Sequence, residues 1–359
     1  MENKYIYQNH DWAHFIWDKE KILILLADVK QKKGIFLGKM ESLGLYLQDD
    51  ANLTIVTENI IKSSEIEGQI LNAQAVRSSV AHRLGIEIKD QVFVQKNIDD
   101  IVAMMLDALG NYKQELTKER LFGWHAALFS SGYSGFRENA MQVVSGVVGK
   151  EKIHYVAPPP EVLDEEVKQF LKWLNDDNSQ DLIIKAAIAH LWFVTLHPFD
   201  DGNGRIARAI TDMVLSRADN TEKRFYSMSA QIQKTKWQYY NILETTQKGS
   251  MDVTPWIEWF LKCLFDSIDF SEKILTGILQ KHYFWQKMAG MQLNDRQTKI
   301  INMIFNRFEG KLTVREWAKR TKTSHDTANR DIAELVKYNI LAQQGAGRST
   351  HYVLALDEK

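Results

Sequence analysis

A single cysteine in 359 residues, Cys263, leaves no partner for an intrachain disulfide and excludes a cysteine-rich metal site. Only five prolines interrupt the chain, so long stretches are free to be helical. No apolar run approaches the roughly 20 residues that cross a bilayer, and Ile22 to Ala27 is far too short. The first residues, Met1-Glu-Asn-Lys-Tyr-Ile-Tyr, lack the basic-then-apolar order of a leader peptide. Charge of one sign is also missing: 45 Lys and Arg balance 46 Asp and Glu, which argues against a protein that coats nucleic acid with its whole surface. No repeat or low-complexity segment stands out. These absences predict a mainly α protein of two or three domains in a reducing cytoplasm, with no membrane partner.

What is present is concentrated in one stretch, His197-Pro-Phe-Asp-Asp-Gly-Asn-Gly-Arg-Ile-Ala-Arg208. Ile183 to Leu196 before it is almost wholly apolar, as in a helix buried on most sides. Pro198 disfavours helical geometry at the preceding residue, so His197 falls at that helix's end. A new helical pattern starts near Gly204 and runs through Ile206, Ile210, Met213 and Val214. Asp201-Gly202-Asn203-Gly204 can then present backbone N–H groups at a helix N-terminus, where positive partial charge favours phosphate. Arg205 and Arg208, three residues apart, can reach one ligand from one helix face, and Asp201 offers the hard oxygen that Mg²⁺ prefers. The plain alternative is a capped loop between helices with both arginines on a solvated face.

The stretch is similar to the signature of Fic-domain proteins, His-x-Phe-x-(Asp/Glu)-Gly-Asn-Gly-Arg-x-x-Arg, at every defined position. The resemblance reaches from the N-terminal region to about Cys263. It implies a protein adenylyltransferase that moves AMP from ATP onto a Ser, Thr or Tyr hydroxyl of a target protein or of itself. On that resemblance His197 is the general base, suited by an unperturbed pKa of about 6.5. Its place at a helix C-terminus would favour imidazolium, so the surroundings must keep that shift small. Asp201 holds Mg²⁺; Gly202, Asn203 and Gly204 cradle the phosphates; Arg205 binds phosphate oxygens and Arg208 the terminal phosphate. Phe199 anchors the loop in the core. One branch of the superfamily, a kinase, carries Ala-Asn-Lys-Arg in the cradle; Gly202 and Gly204 here favour the transferase.

Asn52 to Gly68 shows a helical apolar pattern (Leu53, Ile55, Val56, Ile60, Ile61, Ile66) that Gly68 is suited to end. Glu67 in the last turn is electrostatically misplaced by roughly 0.3–1 kcal/mol, so a cation is expected beside it. Ser63-x-x-x-Glu67-Gly68 also resembles the inhibitory helix of many Fic proteins, (Ser/Thr)-x-x-x-Glu-(Gly/Asn), which implies that Glu67 pairs with Arg208 and blocks productive ATP binding. Between the two motifs, Val143 to Gly149 and Ile153 to Val156 read as two short β-runs. They resemble the Fic flap (about 143–156), whose edge would pair with an extended target segment. Arg137 and Glu138, just upstream, read as structural. By position in the family, Tyr239 and Gln247 take adenosine contacts, and Trp237, Trp256 and Trp259 read as packing aromatics.

The expected fold is a Fic helical core (92–265) with a small β-hairpin flap, preceded by an N-terminal helical module (1–91, inhibitory helix about 52–68). A connecting helix (266–290) leads to a winged helix-turn-helix (291–356). This last unit predicts helices over Asp295–Arg307, Val314–Arg320 and Asp326–Tyr338, then strands either side of a Gly-rich turn. Lys322, His325, Asn329, Arg330 and Arg348 could meet DNA, against which Asp326 and Asp331 count; protein binding is the alternative. The competing readings of the whole chain are a DNA-binding regulator with the Fic fold as a nucleotide-responsive module, and a bifunctional enzyme that also removes AMP. Dimers are common in the family.

Overall fold

The structure, a computed structural model, describes residues 5–89, 91–129, 135–146, 152–176, 180–305 and 310–355. It divides into two compact units, Met1–Ile274 and Leu275–Lys359. The first opens with α1 (Lys19–Glu41), α2 (Leu45–Ile66), α3 (Ala73–Leu84), α4 (Lys96–Gly110) and α5 (Lys118–Leu128). An antiparallel hairpin, β1 (Gln142–Ser145) and β2 (Lys152–Val156), follows. Then come α6 (Leu163–Asn175), α7 (Leu182–Leu196), α8 (Asn203–Asp219), α9 (Met228–Lys234), α10 (Lys236–Gln247) and α11 (Thr254–Lys287). The mainly helical architecture with a small flap matches the sequence-based expectation; Val147, Val148 and the turn to Glu151 lie outside the described residues.

The core is built on α7 against α8. Asp181 caps α7 by accepting from the Ile183 and Ile184 N–H groups, and every residue from Ile183 to Leu196 is buried. The helix stops where the pattern predicts, at His197 before Pro198, with His197 in the left-handed region at φ +48°. α8 restarts the chain from Gly202, whose φ of +83° and close approach to Leu128 leave no room for a side chain.

A buried polar ladder sets α2 along α8. Asn59 donates to Asp212 (2.8 Å), Ser63 lies on Arg208, and Glu67 lies over Gly204. Each step is four residues on both helices, forward on α2 and backward on α8, so the helices run antiparallel with one face of each in contact. Arg224 closes the base of the ladder on Asp212 (2.8 Å) and Asp219 (3.1 Å), and Lys33 of α1 reaches Asp219 at 2.6 Å. Removing one member of such a desolvated set typically costs about 3–5 kcal/mol, so the register of α2 is strongly held.

α2 starts seven residues before the expected Asn52, and Glu67 is its C-cap rather than part of its last turn. Gly68 turns the chain out at φ +82°. The connecting helix expected over 266–290 is the later part of a longer helix, α11, that begins at Thr254 and ends at Lys287. Pro255 sits in its first turn, where its missing N–H is harmless, and no later proline interrupts it.

The second unit contains α12 (Asp295–Phe305), α13 (Val314–Thr321), α14 (His325–Lys337) and a hairpin of β3 (Leu341–Gln344) with β4 (His351–Leu354). Arg307, the expected end of the first of these helices, lies outside the described residues. Thr313 and Ser324 cap α13 and α14 through their side-chain oxygens, as their positions predict. Ile300, Ile301, Trp317, Ile332, Leu335 and Leu341 form its own core. Asp331 is not presented outward: it is buried, accepts two bonds from Arg296 at 2.8 Å each, and takes one from Asn294. Its weight against DNA contact is therefore removed, because its charge is spent inside the unit.

Candidate active site

The loop between α7 and α8 is clamped from three sides. Arg137, itself buried, donates from Nε to the His197 carbonyl (2.8 Å), from Nη1 to that of Asn139 (2.8 Å), and from Nη2 to that of Pro158. Its N–H also donates to the Pro198 carbonyl at 2.9 Å. Phe199 is fully buried, with its ring stacked on His125 at 4.1 Å and close to Phe122 and Phe136. Tyr155 of β2 donates its hydroxyl to the Thr195 carbonyl (2.7 Å), which roots the hairpin two residues from His197.

His197 is partly buried at the loop's entrance, with the Val194 backbone among the groups that act on its ring. Burial pushes its pKa down to about 4, with Arg137 helping; Val194, Glu67 and Asp201 only partly oppose this. The upward push expected of a helix C-terminus is thus overruled, and the imidazole is neutral at pH 7.

At the start of α8 the first intrahelical bond is Ile206 N–H to the Gly202 carbonyl, so the N–H groups of Asn203, Gly204 and Arg205 point out of the helix end. Glu67 fills the space in front of them. A Cβ on Gly204 would lie 2.1 Å from Glu67 Oε1, so only glycine admits this approach. Arg208, buried to 2 %, donates from Nε to Ser63 Oγ and from Nη2 to the Ser63 carbonyl and Glu67 Oε1, each at 2.8 Å. The cation expected beside Glu67 is therefore Arg208. Arg205 reaches Gln69 Oε1 (2.9 Å) and Asp201 Oδ2 (3.3 Å) over the ring of Phe129, and its buried Nε has no partner among the described residues. That orphaned donor is what an incoming anion would satisfy.

Three expected ligands are placed differently. The Asn203 side chain spends both ends on Phe199, accepting from its N–H (3.0 Å) and donating to its carbonyl (2.7 Å), so only its backbone N–H is left for a cradle. Tyr239 is enclosed at 2 % exposure. Thr211 gives its hydroxyl proton to the Ala207 carbonyl and so accepts from His190 Nδ1 (2.9 Å); His190 Nε2 then accepts from Tyr239 at 3.0 Å. Gln247 is buried and turned to Thr195 and the Val194 carbonyl (3.3 and 3.4 Å), bracing the end of α7. Both side chains are buried and spent on protein partners in this structure. The tyrosine at the site is the next one, Tyr240: 39 % exposed, it donates to the Ile66 carbonyl (3.3 Å) beside Glu67. Tyr239 and Tyr240 differ by about 100° around α10, a difference that spacing alone did not resolve.

A divalent cation fits only as a site shared with a substrate. Asp201 is exposed at its side chain, with Oδ1 accepting from the Gly202 N–H (2.6 Å), and no cluster of three acidic, His or Cys groups exists among the described residues. Mg²⁺ commonly takes one carboxylate and completes its shell with phosphate oxygens and water, which Asp201 permits.

Residues 115–215 match the Fic/DOC family, so the chain carries a Fic domain with the His197 loop near its end. Residues 5–86, containing α2, match a domain of unknown function, DUF4172. Among curated relatives, protein adenylyltransferase fic-1 of Caenorhabditis elegans is 31 % identical over 129 residues, covering 34 % of this chain and 24 % of its own. Protein adenylyltransferase Fic of Drosophila grimshawi is 26 % identical over 224 residues, 59 % of this chain and 42 % of its own. The chain thus spans less than half the length of each. The crystal structure of a Fic family protein from Desulfovibrio desulfuricans G20 has the same fold (TM-score 0.55, 18 % identity, 96 % of this chain and 98 % of that one).

Proposed function

We propose that the chain is a protein adenylyltransferase that transfers AMP from ATP to a hydroxyl of a protein and is held inactive by Glu67. The observation that carries this is the pairing of a neutral His197 with a helix N-terminus whose N–H groups and Arg208 are covered by one displaceable carboxylate. In this reading the phosphates replace Glu67 at the N–H groups of Asn203, Gly204 and Arg205, the terminal phosphate takes Arg208, and Arg205 Nε gains its missing partner. His197 accepts the proton of the attacking Ser, Thr or Tyr hydroxyl as pyrophosphate leaves. Asp201 would hold Mg²⁺, which neutralises phosphate charge when bound. The target segment lies along the free edge of the hairpin, and main-chain pairing aligns its hydroxyl without demanding much of its sequence. Incubation with labelled ATP and Mg²⁺ tests this: AMP should appear on protein with Glu67→Gly and not with His197→Ala, and no covalent AMP in either would end the proposal.

The second unit supports a separate reading as a nucleic-acid contact of the winged-helix kind. Lys322, His325, Asn329 and Arg330 are exposed around the start of α14, with Asp331 withdrawn, although Asp326 remains on that face; the side chain of Arg348 lies outside the described residues. Fluorescence anisotropy with duplex DNA should give binding whose affinity falls steeply with salt; salt-independent or absent binding leaves protein contact as its role.

A further inference from the structure

Three side chains outside the His197 site stand in line between the hairpin and α10. Ser145 ends β1, His154 lies in β2 and Glu244 in α10. Val143 pairs with Tyr155 and Val144 with Ile153, so His154 is the extra residue of a β-bulge. Bulges re-aim side chains, and this one brings His154 Nδ1 to 2.5 Å from Glu244 Oε2 and Nε2 to 2.6 Å from Ser145 Oγ. A carboxylate can only accept, so Nδ1 carries the ring proton. With the ring singly protonated, Nε2 is a lone pair that accepts from the Ser145 hydroxyl. That is the order of nucleophile, base and orienting carboxylate.

The surroundings suit the role. Ser145 is exposed, while His154 and Glu244 are each about a quarter exposed at the side chain (25 % and 23 %), so the base is sheltered and the hydroxyl accessible. Lys248 lies 2.6 Å from Glu244. Against the upward push of burial, Lys248 and His154 hold the Glu244 carboxyl at about 2, so it is ionised and can stabilise an imidazolium. Glu244 is one turn along α10 from Tyr240, which touches the end of α2 beside Glu67. The trio therefore borders the nucleotide site without sharing a residue with it.

We propose that Ser145 is an activated nucleophile, a covalent acceptor for phosphorus electrophiles that bear a good leaving group. Ser145 Oγ forms the bond to phosphorus, the leaving group departs with its electron pair, and the hydroxyl proton passes to His154 Nε2. The natural donor is ATP: the α–β phosphoanhydride bond breaks, pyrophosphate leaves, and Ser145 carries AMP. This choice of donor rests on the AMP-transfer reading above; the nucleophile itself does not.

The full chain treated with a fluorophosphonate and mapped by mass spectrometry tests the nucleophile, since that reaction breaks a P–F bond and needs no nucleotide. Ser145 should label about 100-fold faster than the exposed Ser42, lose that advantage with His154→Ala, and lose about tenfold with Glu244→Gln, within the range of general-base effects. Labelling no faster than Ser42, or unchanged by His154→Ala, overturns the proposal and leaves the trio a latch for the hairpin. With Glu67→Gly, Mg²⁺ and ATP, AMP mapped to Ser145 supports ATP as donor. AMP on other hydroxyls but never on Ser145 overturns that donor. If AMP is found nowhere while the fluorophosphonate still labels Ser145, the nucleophile stands and the transfer reading falls.

Discussion

Replacing Glu67 by glycine is the perturbation that most directly weighs the carboxylate against the triphosphate. Arg208 is held by three bonds at 2.8 Å, two to Ser63 and one to Glu67. The substitution removes one of these, together with the charge that stands against the Gly204 Cα. The Glu67 side chain is 28 % exposed and Arg208 1 %, so water screens the pair only in part. A hydrogen bond to a charged group contributes about 1.5–3 kcal/mol net. At 1.4 kcal/mol per factor of ten, the site should open to productive ATP by roughly 10- to 100-fold. Ser63 remains to order the guanidinium, so the melting temperature should fall by only a few degrees, and glycine is acceptable at a helix C-cap. The assay is incorporation of labelled AMP across a range of ATP concentrations, with thermal melting as the control for folding. A folded Glu67→Gly protein no more active than the parent at any ATP concentration would refute the reasoning, because the carboxylate would then not be what excludes the triphosphate.

Other expected outcomes use the same measurements. His197→Ala should abolish AMP transfer with Glu67 or with glycine at 67, while leaving nucleotide binding by calorimetry intact. Arg208→Ala should cripple transfer even with glycine at 67, as a large rise in KM for ATP, since one guanidinium serves both partners. With a pKa of about 4, His197 should keep transfer flat from pH 8 to about pH 5, with loss on protonation below that. The sign for stability is the same. His197 at about 4 and His190 at about 3 lie below the unfolded value near 6.5. The stability they contribute is complete above pH 6.5 and is lost as pH falls through their folded values, which acid melting curves should show. Asn203→Ala should strand the buried N–H and carbonyl of Phe199 and destabilise the fold by about 2–6 kcal/mol, at roughly 1–3 kcal/mol for each unsatisfied group; an unchanged melting temperature would contradict that bonding.

The sequence by itself determined the helical class, the end of α7 at His197, a start of α8 near Gly204 and the hairpin. These rest on local steric rules: proline acting on its neighbour, glycine at positive φ, an apolar period near 3.6, and β-branched runs between turns. It also required a cation for Glu67 through the charge of a helix end. Tertiary structure alone decided where the polar side chains were spent. Asn203 folded back on Phe199, Gln247 braced α7, Tyr239 went into the core beside His190 and Tyr240 took the site, and Asp331 turned inward to Arg296. Such choices depend on which donors and acceptors come within about 3 Å across elements far apart in the chain, and on how much water is left around them. The same holds for His197: its type promised a base, but only the burial of its surroundings set a pKa near 4, and only the antiparallel ladder of α2 on α8 carried Glu67 to Gly204.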